Sequence, residues 1–159
     1  MGIVAALMMA SCVSPSDYCD KVAHNVDVST SALKNMTQAI SQRNKENSEE
    51  MKANLRSTYE TSYKEIQAAW KTIHGMSDFR GDDELRAAAD EYVGFYASYF
   101  ENQLSGVVSI LTKDSTTYDD TAELMEYIYE LNGKETEYKN KYHNSLIKFM
   151  KKNELAAGL

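Results

Sequence analysis

The 159-residue chain has a mass of 17.9 kDa, which is the size of one domain with a substantial core. Hydrophobic residues make up 43% and charged residues 26% of it, values typical of globular domains and not of disordered chains. The net charge of −7 argues against a nucleic-acid backbone as a partner. With one proline and seven glycines, the composition favours long helices over a turn-rich β-sandwich.

The charge is distributed unevenly along the chain. Residues 78–130 contain three basic and 13 acidic residues, whereas residues 131–159 contain six basic and three acidic ones. An acidic segment followed by a basic one predicts neighbouring helices that attract each other and an acidic surface that faces water.

The first ten residues, Met1 to Ala10, carry no charge. The run is shorter than the roughly 20 residues of a membrane-spanning helix, but it has the length of the apolar core of an export signal. The residues that end it, Met9-Ala10-Ser11-Cys12, resemble the lipobox of bacterial lipoproteins, although Met9 stands where leucine is usual and no basic residue precedes the run. The resemblance implies that residues 1–11 are an export signal that is removed, and that a diacylglycerol is attached to the thiol of Cys12.

Two alternatives to lipidation are open at this stage. The apolar N-terminus could pack on the domain as a helical turn, or Cys12 could form a disulfide with Cys19, which an exporting compartment permits. Cys19 shares a helical face with Val22 and Val26, so we expect it to be a small buried side chain. Val13 follows Cys12 where an acidic residue would indicate retention in the inner membrane, so we expect the outer membrane or cell surface.

Residues 12–159 are predicted to form a single all-α domain. A first helix is expected from Ser14-Pro15, with Ser14 as its cap and an apolar stripe at positions 22, 26, 29, 33, 36 and 40. A second helix is expected after Asn47, as its cap, with an acid three positions later. Its stripe occupies positions 51, 55, 59, 62, 66, 69 and 73. The helix should end near His74-Gly75, with the glycine in the left-handed conformation.

The third and fourth predicted helices complete the set. The third restarts at Asp82-Asp83-Glu84 and contains Gly94 and Gly106, each of which predicts close approach by a neighbouring side chain. The fourth begins with a box-like pair, Thr117 and Asp120, and its stripe occupies positions 124, 128, 131, 135, 138, 142, 146 and 149. The stripe keeps its phase across Asn132-Gly133, so the helix is expected to be continuous. Four long amphipathic helices with short connections predict an antiparallel, up-down-up-down four-helix bundle.

Reactive motifs are scarce in the sequence. The residues three positions before His24, His74 and His143 are Lys21, Lys71 and Asn140, so the Glu-x-x-His pattern of di-iron bundles is missing. Nothing beyond methionine and histidine content indicates haem, and no nucleophile, phosphate-binding or dinucleotide motif occurs. We therefore predict no cofactor, no metal and no enzymatic activity.

Two features predict a possible interaction surface. Arg80-Gly81-Asp82 lies in the loop before the third helix and raises the hypothesis of integrin binding, although a glycine turn followed by a capping aspartate explains it more simply. The third helix carries Tyr92, Tyr96 and Tyr99. Their stripe positions favour the core, and a tyrosine-lined groove for a ligand is the alternative.

The segment 78–86, the tyrosine-rich helix and the segment 141–155 are similar to a family of uncharacterised bacterial surface lipoproteins. The resemblance implies a small helical domain on a lipid anchor and no catalytic residues. We therefore expect a lipid-anchored, non-enzymatic binding or structural protein of the bacterial envelope. The alternatives are a periplasmic bundle that binds haem, metal or a small apolar molecule, and an envelope immunity or inhibitor protein.

Replacing Cys12 by Ser tests the anchor. We expect wild-type cells to incorporate radiolabelled palmitate into the protein and the Cys12→Ser variant to incorporate none, because the acyl chains need the thiol. In a phase-partition assay, the variant should also move from the detergent phase to the aqueous phase. Unchanged labelling or partitioning would contradict the lipoprotein assignment.

Overall fold

The computed structural model describes residues 13–155. The helices are α1 (Pro15–Lys45), α2 (Glu49–His74), α3 (Glu84–Tyr99), α4 (Ser105–Leu111) and α5 (Tyr118–Lys152). A π-helical segment, Phe100–Leu104, joins α3 and α4 into one rod. The predicted four-helix bundle is confirmed, and within the described range no strand occurs beyond one isolated bridge between Phe79 and Asp82.

Contacts at one end of the bundle, which we call the base, bring together the start of α1 and the end of α2. The Tyr18 hydroxyl donates a hydrogen bond to the carbonyl oxygen of Ser77 at 3.1 Å. The Lys152 ammonium, at the end of α5, lies 2.7 Å from the carboxylate of Asp82, just before α3. The base therefore holds two helix starts and two helix ends.

The opposite end, the top, has the complementary arrangement. Near the end of α1, Arg43 donates to the carbonyl of Leu111 at the end of α4. Lys113 follows α4 and pairs with Asp120 in the first turn of α5, at 2.6 Å. Rods that follow each other in the chain therefore run in opposite directions.

The core is centred on α3, which packs against α1, α2 and α5. Its face toward the other helices is aromatic: Tyr92 and Tyr96 are among the largest fully buried side chains, as is Phe100, directly after the end of α3. The predicted α1 and α2 stripes supply the opposing surface, as does Cys19, which is buried as expected. Buried members of these two stripes are Val22, Val26, Ser29, Met36, Leu55, Ser62, Ile66, Ala69 and Ile73.

The helix ends confirm some of the predicted caps and correct others. The Ser14 side chain accepts from the backbone of Asp17, and Thr117 forms the predicted capping box. The prediction of Asn47 as the cap of α2 is wrong, because Ser48 accepts the first-turn bond from Met51.

The ending predicted for α2 also needs correction. Gly75 has a φ of −83°, so it is not left-handed. Its N–H donates to the carbonyl of Lys71 at 3.0 Å, which continues the right-handed winding through the cap.

The two glycines of the third rod lie where the sequence predicted close approach. A Cβ added at Gly94 would lie 3.1 Å from the indole nitrogen of Trp70, and one at Gly106 would lie 2.8 Å from the hydroxyl of Tyr127. The π-helical segment between them was not predicted. Within it, the carbonyl of Phe100 accepts a hydrogen bond from Tyr59 at 3.0 Å, a bond that supports this local departure from α-helical pairing.

The apolar stripe of α5 is buried along only part of its length. The helix is continuous through Asn132-Gly133, as predicted, and Tyr142 and Phe149 are buried in its lower half. In the upper half, Ile128 remains 49% exposed, which corrects its predicted place in the core. None of the described helices is both long enough and apolar enough to cross a membrane.

Replacing Gly133 by Ala should stabilise the protein. A Cβ at this position would meet nothing within 4 Å, so the variant gains the helix propensity of alanine, about 1 kcal/mol. Gly94→Ala is the matched control, and its gain should be smaller because the new Cβ presses on Trp70. Urea unfolding measures both, and equal gains would contradict this account of the two sites.

Candidate functional site

The residues that the sequence indicated as functional lie in separate parts of the structure. Cys12 lies outside the described residues, next to Val13. Arg80-Gly81-Asp82 forms a tight turn at the base, in which Arg80 and Gly81 have φ values of 54° and 83°. Positive φ at both central residues is the pattern of a type I′ turn, which closes antiparallel segments.

Both carboxylate oxygens of Asp82, the last residue of the turn, have partners within the protein. One carboxylate oxygen of Asp82 accepts from the backbone of Glu84 at 3.2 Å, and the other pairs with Lys152 at 2.7 Å. The hydrogen bond from Lys152 holds the pKa of Asp82 below its usual value. Arg80 lies over the ring of Phe79, 4.9 Å from its centroid. Asp82 thus links α3 to α5 and accepts from the first residue of α3. The cap position itself is held by Asp83, whose side chain makes no cap bond.

The tyrosines of α3 lie in the core. Tyr92, Tyr96 and Tyr99 are 2%, 0% and 3% exposed, so the core position favoured by their stripe is the one they occupy. Tyr99 and Tyr92 also contribute to the walls of two cavities described below. Burial raises the pKa of Tyr99 to about 12 and also raises that of Tyr96. These hydroxyls therefore stay protonated and serve as hydrogen-bond donors at neutral pH.

Each hydroxyl finds a partner on a neighbouring group. Tyr99 donates to the carbonyl of Tyr127 at 3.1 Å. Tyr96 donates to Glu135 at 2.9 Å, and its oxygen lies 2.8 Å from that of Tyr92. Because Tyr96 uses its proton on the carboxylate, Tyr92 is the donor to Tyr96, and Glu135 is the final acceptor of the chain.

A long seam separates α1 from α5. Each of these helices packs on α3, but their backbones rarely come close to each other. They meet through side chains at the base, where the ring of Tyr18 on α1 stacks on that of Phe149 on α5, with 5.6 Å between the ring centroids. In the upper half, the seam widens into a cavity of about 450 Å³, which we call the upper cleft. Its apolar lining consists of Leu33, Met36, Ile40, Tyr99, Leu104, Val107, Leu111, Leu124, Ile128 and Leu131.

A second cavity, the lower cleft, follows along the same seam. It has a volume of about 280 Å³ and is lined by Val26, Asp27, Thr30, Tyr92, Glu135, Lys139, Tyr142 and His143. Glu135 lines both cavities, so the carboxylate marks the boundary between an apolar part and a polar part.

The histidines do not converge. His74 lies 3.1 Å from Asp90, and His143 lines the lower cleft on another helix. Among residues 13–155, no three His, Cys, Asp or Glu side chains are grouped so that they could hold a metal ion.

The first turn of α5, which lies just before Leu124, the first α5 residue of the upper cleft, is fixed by a buried carboxylate. Asp120 is 7% exposed and accepts from Lys113 at 2.6 Å and from the backbone of Thr117 at 2.8 Å. The bond from Lys113, and next those from Thr117, lower the pKa of Asp120 to about 2. The ionised carboxylate thus ties the first turn of α5 to the end of α4.

Replacing Asp120 by Asn tests this tie. A folded-state pKa below the ordinary value contributes stability that is present above about pH 4 and lost as the pH falls through about 2. We therefore expect Asp120→Asn to lower the urea midpoint at pH 7, with a difference from wild type that shrinks between pH 4 and 2. Asp119→Asn, in the same turn, is the control and should change little. A difference that is constant with pH would contradict the assignment.

Comparisons of the chain with protein-family models, curated proteins and solved structures found no match. A function must therefore be inferred from the chain's own residues. Among them, the seam combines a concave apolar surface with an oriented polar group, which is the usual composition of a ligand-binding cavity.

Proposed function

We propose that this protein is a lipid-anchored, non-enzymatic binding module of the bacterial cell envelope that holds an apolar ligand in the upper cleft. The observation that carries the binding function is the open seam between α1 and α5. Its volume, about 450 Å³, lies within the roughly 300–1,000 Å³ of small-molecule sites. Aliphatic side chains dominate its lining, and such groups bind a ligand without reacting with it.

The exposure of Ile128 supports the same proposal. An isoleucine that is 49% exposed on the wall of an apolar cavity leaves hydrocarbon in contact with water. Covering that surface gains about 25 cal/mol for each Å² removed from water. A ligand in the upper cleft would thus complete the burial that the four helices leave unfinished.

The position of the anchor is consistent with this role. Val13 lies at the base, where it lines a cavity together with Met76 and Phe79, and Cys12 is the preceding residue. The upper cleft begins at Leu33, which is about 30 Å further along the axis of α1 at 1.5 Å per residue. A lipid on Cys12 would therefore place the base at the membrane, with the upper cleft facing away from it.

The same geometry argues against the integrin hypothesis. The turn with Arg80, Gly81 and Asp82 belongs to the base, and Arg80 lines the same cavity as Val13. An anchor on Cys12 would hold the turn against the membrane, where a receptor on another cell has poor access to it.

Binding of an uncharged, apolar fluorescent dye, the aromatic amine N-phenyl-1-naphthylamine, tests the proposal. We expect saturable binding with an emission shift to the blue, because the dye moves from water into an apolar cavity. Ile128→Asp should weaken binding about tenfold or more, since it places a charge on the cavity wall.

Ile147→Asp is the matched control. Ile147 is 48% exposed on the same helix, but it does not line the upper cleft, so this variant should bind the dye as the wild type does. Equal loss in both variants, or no saturable binding by the wild type, would refute the binding function.

A further inference from the structure

The two clefts differ in chemistry on either side of one residue. Above Glu135 the seam is lined mainly by aliphatic side chains. Below it lie the carboxylate of Asp27 and the buried rings of Tyr92 and Tyr142. A molecule that filled the whole seam would need an apolar part at one end and a polar part at the other.

One oxygen of the Glu135 carboxylate accepts a hydrogen bond that fixes the side chain, and the other oxygen can still accept one from a ligand. The bond from Tyr96 reaches one of its oxygens at 2.9 Å, and Tyr92 in turn supports Tyr96. The second carboxylate oxygen makes no hydrogen bond to any of residues 13–155. A fixed carboxylate with a free oxygen, at the edge of an apolar cavity, is a site for a cationic or strongly donating group.

The other groups of the lower cleft also favour a ligand with a positive charge. Asp27 and Glu135 supply two carboxylates, against one ammonium group, that of Lys139, and one imidazole, that of His143. Lys139 forms no ion pair within residues 13–155. The Tyr92 and Tyr142 rings lie 6.0 Å apart in a stacked arrangement. Aromatic rings attract cations, including quaternary ammonium groups.

We propose that the seam binds a cationic amphiphile, with its alkyl chain in the upper cleft and its amine or quaternary ammonium group beside Glu135 in the lower cleft. This inference rests on the proposed binding function and names its ligand class. An apolar helix from a second copy is a poorer occupant, because it would bury the Glu135 carboxylate without a positive partner.

Three probes with the same chain length separate the possibilities. They are dodecyltrimethylammonium (cationic), dodecyldimethylphosphine oxide (neutral) and dodecanoate (anionic), each used below its micelle concentration. Displacement of N-phenyl-1-naphthylamine from the full chain gives their affinities. We expect the cation to bind about tenfold tighter than the neutral probe, and dodecanoate to bind more weakly than both.

Glu135→Gln should remove this preference. The amide oxygen still accepts from Tyr96, so the fold is kept, while the negative charge is lost. We expect the affinity for the cation to fall to within about threefold of that for the neutral probe, both measured on the variant. Glu137→Gln is the control, because it removes the same charge from an exposed position on α5 and should leave the preference intact.

The results of these experiments distinguish the ligand class from the binding function. If the three probes bind equally, or if Glu137→Gln acts as Glu135→Gln does, the cationic class is refuted and the binding function stands. If no probe and no dye binds to monomeric protein, both proposals fail. If sedimentation shows a dimer that binds probes only after dilution into monomers, a second copy fills the seam and the amphiphile inference is overturned.

Discussion

The structure depends on the burial of tyrosine rings whose hydroxyls all require partners. A buried hydroxyl left without a hydrogen bond costs about 1–3 kcal/mol, so every tyrosine that α3 places in the core also requires a hydrogen-bond partner. Tyr96 fixes the position of Glu135, and Tyr99 fixes the backbone of Tyr127. One of these bonds reaches α5 before Asn132-Gly133 and the other after it, so both halves of α5 are joined to α3.

The seam follows from that arrangement. Because its hydrogen bonds and the close contact of Tyr127 with Gly106 hold α5 against the third rod, α5 does not settle onto α1. If all four pairs of neighbouring helices in the bundle packed equally closely, Ile128 would be buried. Here the aromatic core spreads α1 and α5, and the space between them becomes the cavity that we propose as a binding site.

The proposed roles divide the bundle along its axis. The base contains Val13, the turn at residues 79–82 and the ion pair between Asp82 and Lys152, and it would face the membrane if Cys12 is lipidated. The upper cleft lies on the other half of the molecule, toward the end at which Lys113 pairs with Asp120. An anchored protein with this layout presents its cavity to the surrounding envelope space.

Local signals in the sequence were sufficient for the helices, because caps and apolar stripes act over a few residues. Ser14 and the Thr117 box were identified from their own neighbours, and the close contacts of Gly94 and Gly106 were expected because glycine within a helix needs a compensating neighbour. The capping of α2 by Ser48 instead of Asn47 is a difference of one residue. Sequence alone cannot resolve it, since both side chains can accept the first-turn bond.

The sequence by itself therefore determined the helical class, the number of helical rods and the burial of the α1 and α2 stripes. Only the tertiary structure decided that the upper α5 stripe stays partly open and that Glu135, which occupies a stripe position, is the acceptor for buried tyrosines. The π-helical segment and the seam likewise arise from contacts between residues that are far apart in the chain. A stripe states which face of a helix is apolar, but the geometry of the neighbouring helices decides whether that face is covered.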